Sequence, residues 1–162
     1  MEVYVLVPKK KNILVHVCGL ASLITGILSL FFTAIGLFVF LPVAVAGIIL
    51  GVFLRSRNYE YEYSYFDGDF RFAKIINKSR RKNLKGYKID DVLAIAPIED
   101  RSVYQYLHNS SNKIKDYTSG KKDAKVYALV AKVPEGLEVV KYEPDEKYLD
   151  SVCVKYRQKV VR

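Results

Sequence analysis

From Ile13 to Leu54 the chain runs for 42 residues without an Asp, Glu, Lys or Arg. As one helix that run would be about 63 Å long at 1.5 Å per residue, against a hydrocarbon core of about 30 Å. Two spans are the economical expectation, Ile13–Leu30 and Leu37–Leu54, reversing near Phe31–Gly36. Lys9, Lys10 and Lys11 precede the run, and Arg55 and Arg57 follow it. Positive flanks stay on the cytoplasmic side, so both termini are expected there. The domain reading is an N-terminal arm (1–12), a transmembrane helical hairpin (13–54, spans about 13–30 and 37–54) and a cytoplasmic β-rich domain (55–162).

Small residues recur along one face of the first expected span, at Gly19, Ser22 and Gly26. The second span carries the pair Gly47 and Gly51. Small faces let helices approach closely. These five residues are therefore the candidates for helix packing, either of the spans on each other or on a further membrane protein. His16 is read as an interfacial side chain, because no second ionisable group accompanies it for a proton relay.

The 26 Lys+Arg against 17 Asp+Glu give the chain a net charge of +9. Tyr59–Tyr65 alternates strictly, the mark of a half-buried strand. Asp67-Gly68 follows as a two-residue hairpin signal. That turn sets Tyr65 opposite Phe70, Tyr63 opposite Phe72 and Tyr59 opposite Ile76. Lys74 then falls on the aromatic face, which implies a barrel mouth or a bulge there. Further strands are expected at Arg81–Tyr87, Val92–Pro97, Ile114–Tyr117, Lys125–Val133 and Leu137–Tyr142, with a short helix near Val103–His108. A closing helix at about 145–157 carries the stripe Leu149, Val152, Cys153 and Tyr156. Val3, Val5 and Val7 alternate before the uncharged run, as in an extended arm that either adds to a sheet edge or frays.

Four strands, an excursion, three strands and an amphipathic helix resemble a pleckstrin-homology-like domain. The expected fold class is therefore α+β: a transmembrane helical hairpin, then a seven-stranded partly open β-barrel with a C-terminal helix. The whole chain also resembles an uncharacterised bacterial family of two-span membrane proteins, a domain of unknown function. The residues that carry this are Tyr61–Ser64, Asp67-Gly68-Asp69, Lys74–Lys82 and Tyr142–Asp150. The resemblance implies architecture and a bacterial cytoplasmic membrane, with no activity attached. The acidic turn at Asp67 and Asp69 differs from phosphoinositide-binding relatives, which usually carry basic residues there.

Arg71 to Lys88 holds eight basic residues and no acidic one. Lys78, Arg80, Arg81, Lys82 and Lys85 are the candidates for contact with anionic lipid or an acidic protein. Nucleic acid is not expected, since the tyrosines alternate as core residues do. Ser119-Gly120-Lys121 lacks the earlier glycine of a phosphate loop. Cys18 and Cys153 are solitary and no metal spacing exists. No cofactor, metal or catalysis is expected. The leading function is a membrane-anchored, non-catalytic binding or scaffolding module. The alternative is an accessory subunit docked on a larger membrane complex through its helices.

Overall fold

The computed structural model describes residues 2–9, 13–31, 34–55 and 59–162, without the side chains at 15–16, 29–31, 34–40 and 54–55. The expectations for His16, for Lys10, Lys11, Arg55 and Arg57, and for most of the reversal lie outside what is described. The chain divides into two units, residues 1–10 with 59–162, and residues 11–58.

In the larger unit, β2 (Tyr59–Phe66) and β3 (Asp69–Ile76) pair antiparallel about the Asp67-Gly68 turn. Their register sets Tyr65 against Phe70, Tyr63 against Phe72 and Tyr59 against Ile76, as the turn length dictates. β4 (Arg80–Lys88) follows β3 with a register shift at Phe72/Ala73. The N-terminal arm forms β1 (Val3–Pro8) on the other edge, Val3 opposite Tyr65. The first sheet is thus ordered β1-β2-β3-β4.

The second sheet contains β5 (Val92–Pro97), β6 (Lys113–Asp116), β7 (Tyr127–Val133) and β8 (Gly136–Tyr142), ordered β5-β7-β8-β6, with β6 parallel to β8. Both of its faces are covered. Ile95, Leu129, Val140 and Tyr142 join the main core, while Ala96, Ala128, Val130 and Val139 pack with Val103 of α3 (Arg101–Leu107). Burial on both faces explains why Tyr127–Ala131 reads as one apolar run rather than an alternation. Asp100 caps α3 by accepting the Ser102 N–H at 2.8 Å.

Aromatic rings fill the main core. Tyr63, Phe72 and Tyr142 meet edge to face, with each pair of centroids 5.6 Å apart. Such pairs contribute about 0.5–1.5 kcal/mol beyond their buried area. The closing helix, α4 (Glu146–Tyr156), is capped by Asp145 and buries Tyr148, Leu149 and Val152. Beyond it, Lys159 donates to the Ile89 and Val92 carbonyls at 2.5 and 2.8 Å.

The single seven-stranded barrel is not what forms. The arm supplies an eighth strand, and the strands sort into two sheets of four. Closure into one barrel needs ladder pairing between the sheets, and the two sheets are joined by side chains instead.

The smaller unit contains α1 (Ile13–Phe31) and α2 (Ala34–Arg55), with Pro42 inside α2. The pair leaves apolar side chains such as Leu20, Ile49 and Val52 more than 60 % exposed. The expectation of a membrane-crossing hairpin is nevertheless overturned: among the described residues no helix is long and apolar enough to cross a membrane. Counting a run free of charge measured the wrong property. Freedom from charge does not by itself give a helix the length and apolarity that crossing needs, and the run also contains Gly, Ser, Thr and Pro. The multi-pass placement in a bacterial cytoplasmic membrane, with both termini cytoplasmic, rested on those spans and conflicts with the same finding.

Candidate functional site

The basic stretch falls on the β3–β4 hairpin. Asn77 and Lys78 form its end, both left-handed with φ of 51° and 57°, and the Ser79 N–H donates to the Ile76 carbonyl at 3.2 Å. Asn tolerates this conformation, whereas a lysine there costs about 1–2 kcal/mol. Lys78, Arg80, Arg81, Lys82 and Lys85 are all exposed.

They do not act as one group. Arg81 reaches across the outer face to Glu62, Nη2 to Oε1 at 2.7 Å. Lys85 turns to Glu138 on β8, 2.5 Å from Oε2, and the Tyr87 hydroxyl donates to the same oxygen at 2.9 Å. Lys115 on β6 lies 4.0 Å from Oε1. Glu138 is a buried acid, held from two strands far apart in sequence, β4 and β6. That leaves Lys78, Arg80 and Lys82 with no ion pair among the described residues.

Register explains where these cations sit. Tyr59, Ile76 and Arg80 align across the sheet, as do Tyr61, Lys74 and Lys82. This is the face that carries the aromatic core further along, so the core gives way to cations at the hairpin end. The Lys74 ammonium sits 3.4 Å from the centroid of the Tyr59 ring, a cation–π contact that closes the aromatic row. Lys74 itself keeps its place opposite Tyr61 in an unbroken β2–β3 ladder, and the register shift lies two residues earlier, between Phe72 and Ala73 against β4.

Towards the other end of β4 a groove of about 400 Å³ opens between β3–β4 and the β7–β8 turn. Arg71, Lys85, Lys88 and Lys132 line it, with Asp69 and Asp91 as the acidic members. Arg71 is turned to Asp69 at 3.4 Å. Sequence reasoning missed Lys132 and Lys115, because they lie 44 and 27 residues beyond Lys88 and join the patch only through the fold.

The acidic first turn is also partnered. Asp67 receives Lys155 of α4 at 2.5 Å, and that ammonium holds its carboxyl below the usual carboxylate range. Among the described residues no group of His, Cys, Asp and Glu could hold a metal ion.

In the helical unit, Ser22 and Gly47 come together. A Cβ on Gly47 would lie 2.8 Å from the Ser22 Cβ. For Gly19, Gly26 and Gly51 no such neighbour lies within 4 Å among the described residues. One of the small positions on α2 is therefore used within the pair itself.

No curated protein and no solved structure matches the chain. One family model matches, and it does so from the first residue to the last. Two four-stranded sheets, an aromatic core and a closing helix agree with its description: over residues 1–162 the chain belongs to the family Bacterial PH-like domain (DUF6106).

Proposed function

We propose that the protein is a non-catalytic binding module that receives an anionic partner on the cationic end of its β3–β4 hairpin. An acidic protein segment is favoured over a lipid headgroup, because the cations line a strand rather than ring a pocket. The observation that carries the reading is Lys78: a lysine holds a left-handed position that Gly or Asn fills without strain, and it points a charge to solvent beside Arg80 and Lys82. Strained backbone of this kind concentrates at sites of function. Lys85 does not belong to the contact set, since Glu138 already holds its ammonium.

The test is binding of polyglutamate to the full chain across a salt series. Binding should weaken as salt rises, since exposed charges are screened. Arg80→Glu combined with Lys82→Glu should weaken it about tenfold, while the exposed pair Lys121→Glu and Lys122→Glu leaves it near wild type. Equal loss from both pairs would reduce the effect to net charge and refute the site.

A further inference from the structure

We infer that the free edge of β4 takes an acidic, extended segment of a partner protein as an added strand; this rests on the anionic-partner reading above. Three observations converge on it. First, β4 ends its sheet, paired on one side to β3 and on the other to no described strand. Its outward-facing amides and carbonyls are a template for another chain. The β5 edge, by contrast, is met by the C-terminal residues, where Val160 bridges Ile95 and the Val161 N–H donates to the Ile95 carbonyl at 2.8 Å; β1 and β6 are edges as well, and charge is what distinguishes β4 from them.

Second, a groove opens beside the C-terminal half of β4, where Lys85–Lys88 line it together with Asp69–Arg71 of β3 and Lys132–Pro134 of the β7–β8 turn. Its volume of about 400 Å³ lies within the range of sites that hold a small ligand or a few peptide residues. Gly86 keeps side-chain bulk out of the β4 side.

Third, charge selects the occupant. Arg80, Lys82 and Lys88 along β4, with Lys132 across the groove, favour carboxylates on the incoming strand. The same cations repel a second copy of β4, so the edge is closed to self-pairing and open to an acidic partner. Of the two acids lining the groove, Asp69 is paired with Arg71, while Asp91 opposes an incoming carboxylate and sets the segment's acids towards Lys88 and Lys132.

The experiment uses the full chain and a labelled peptide of alternating Glu and Val, nine residues long to match β4. A second peptide of the same sequence carries N-methyl groups on alternate residues, so that it keeps its charge and loses its strand-facing donors. The first should bind and protect the amides of Lys82–Lys88 from hydrogen exchange. The second should bind about tenfold more weakly, since main-chain hydrogen bonds supply the affinity in strand addition. Lys88→Glu with Lys132→Glu should weaken the first peptide by a similar factor.

If both peptides bind equally and Arg80→Glu/Lys82→Glu still weakens them, strand addition is wrong while the cationic reading stands. If the N-methyl difference persists and that charge reversal changes nothing, the hairpin-end reading fails, and the edge site stands only where Lys88→Glu with Lys132→Glu weakens the first peptide; no effect from either reversal overturns the acidic occupant. Binding to vesicles of phosphatidylglycerol without binding to either peptide overturns the proposal in favour of a lipid surface. Binding to none of these probes overturns both readings.

Discussion

The Lys85 ammonium lies 2.5 Å from the Oε2 of Glu138, joining a strand of one sheet to a strand of the other. Glu138 is 2 % exposed at its side chain, and Lys85 is 43 % exposed. A buried carboxylate is tolerated only when partners replace its lost water. Here Lys85 and the Tyr87 hydroxyl share one oxygen, and Lys115 approaches the other. Removing Lys85 leaves charge behind in the core. Lys85→Met should therefore destabilise the fold by about 1–3 kcal/mol, read as a lower urea midpoint. Glu138→Gln should cost less, because its carbonyl still accepts from Tyr87. Lys85→Met combined with Glu138→Leu should recover part of the loss. A double variant less stable than Lys85→Met alone would show that the pair does not bridge the sheets as described.

At Lys78 the backbone and the side chain pull in opposite directions. Its φ of 57° burdens the fold, and glycine adopts that angle without a Cβ clash. Lys78→Gly should raise stability by about 1 kcal/mol, the size expected for relief of a left-handed residue, offset in part by the looser unfolded chain. The same change should weaken polyglutamate binding, because one of three unpaired cations is lost. Stability and binding moving in opposite directions is the signature of a residue kept for contact. Loss of stability in Lys78→Gly, seen in the same urea series, would mean that the lysine is held there by packing.

What could be read from sequence follows from range. The Asp67-Gly68 turn and the tyrosine alternation are local, and together they determine the register of β2 on β3 residue by residue. Asp145 and the Leu149/Val152 stripe likewise announce α4. The two-sheet division was not legible, because it depends on which distant edges meet. Nor was the role of Lys85: within the basic run it looks like its neighbours, and its partner lies 53 residues away. The uncharged run foretold two helices near their observed limits. It misled about membrane crossing, since lack of charge does not establish the length and apolarity of an individual helix.

The tyrosine core makes alkaline pH a probe of the fold. Burial pushes the phenols of Tyr63, Tyr87, Tyr142 and Tyr148 above their ordinary value, with the Glu138 carboxylate adding to the rise at Tyr87. The folded protein thus holds these protons more tightly than the unfolded chain, whose phenols titrate near 10. Their contribution to stability is complete below that pH and is lost as pH rises from there towards the folded values. Tyrosinate absorbance from this core should appear together with the loss of circular dichroism, and not before it. Phenols that ionise several pH units ahead of unfolding would contradict the buried core. At the acid end the sign reverses. Asp100 is held below the usual carboxylate range by the Ser102 hydroxyl and N–H, so its contribution is present above the unfolded value and disappears as pH falls through the folded one.

Gly68 answers whether the first hairpin turn is fixed by its backbone or by its charges. Its φ is 95°, a conformation that L side chains rarely adopt, and a Cβ there would lie 2.9 Å from the Ile89 Cγ2. Its carbonyl also accepts the Ile89 N–H at 2.7 Å, tying the turn to the segment after β4. Gly68→Ala therefore meets both strain and a clash, and Ile89 is buried and cannot move aside freely. The expected loss is about 2–4 kcal/mol, the sum of a strained residue and local overpacking. Asp67→Asn removes the charge opposite Lys155, but that pair is exposed on both sides, and solvent screens such pairs so that they contribute little. Thermal denaturation of the two variants should accordingly show a large shift for Gly68→Ala and a small one for Asp67→Asn. The reverse order would place the turn's stability in the Asp67–Lys155 link, and the backbone account of this hairpin would be wrong.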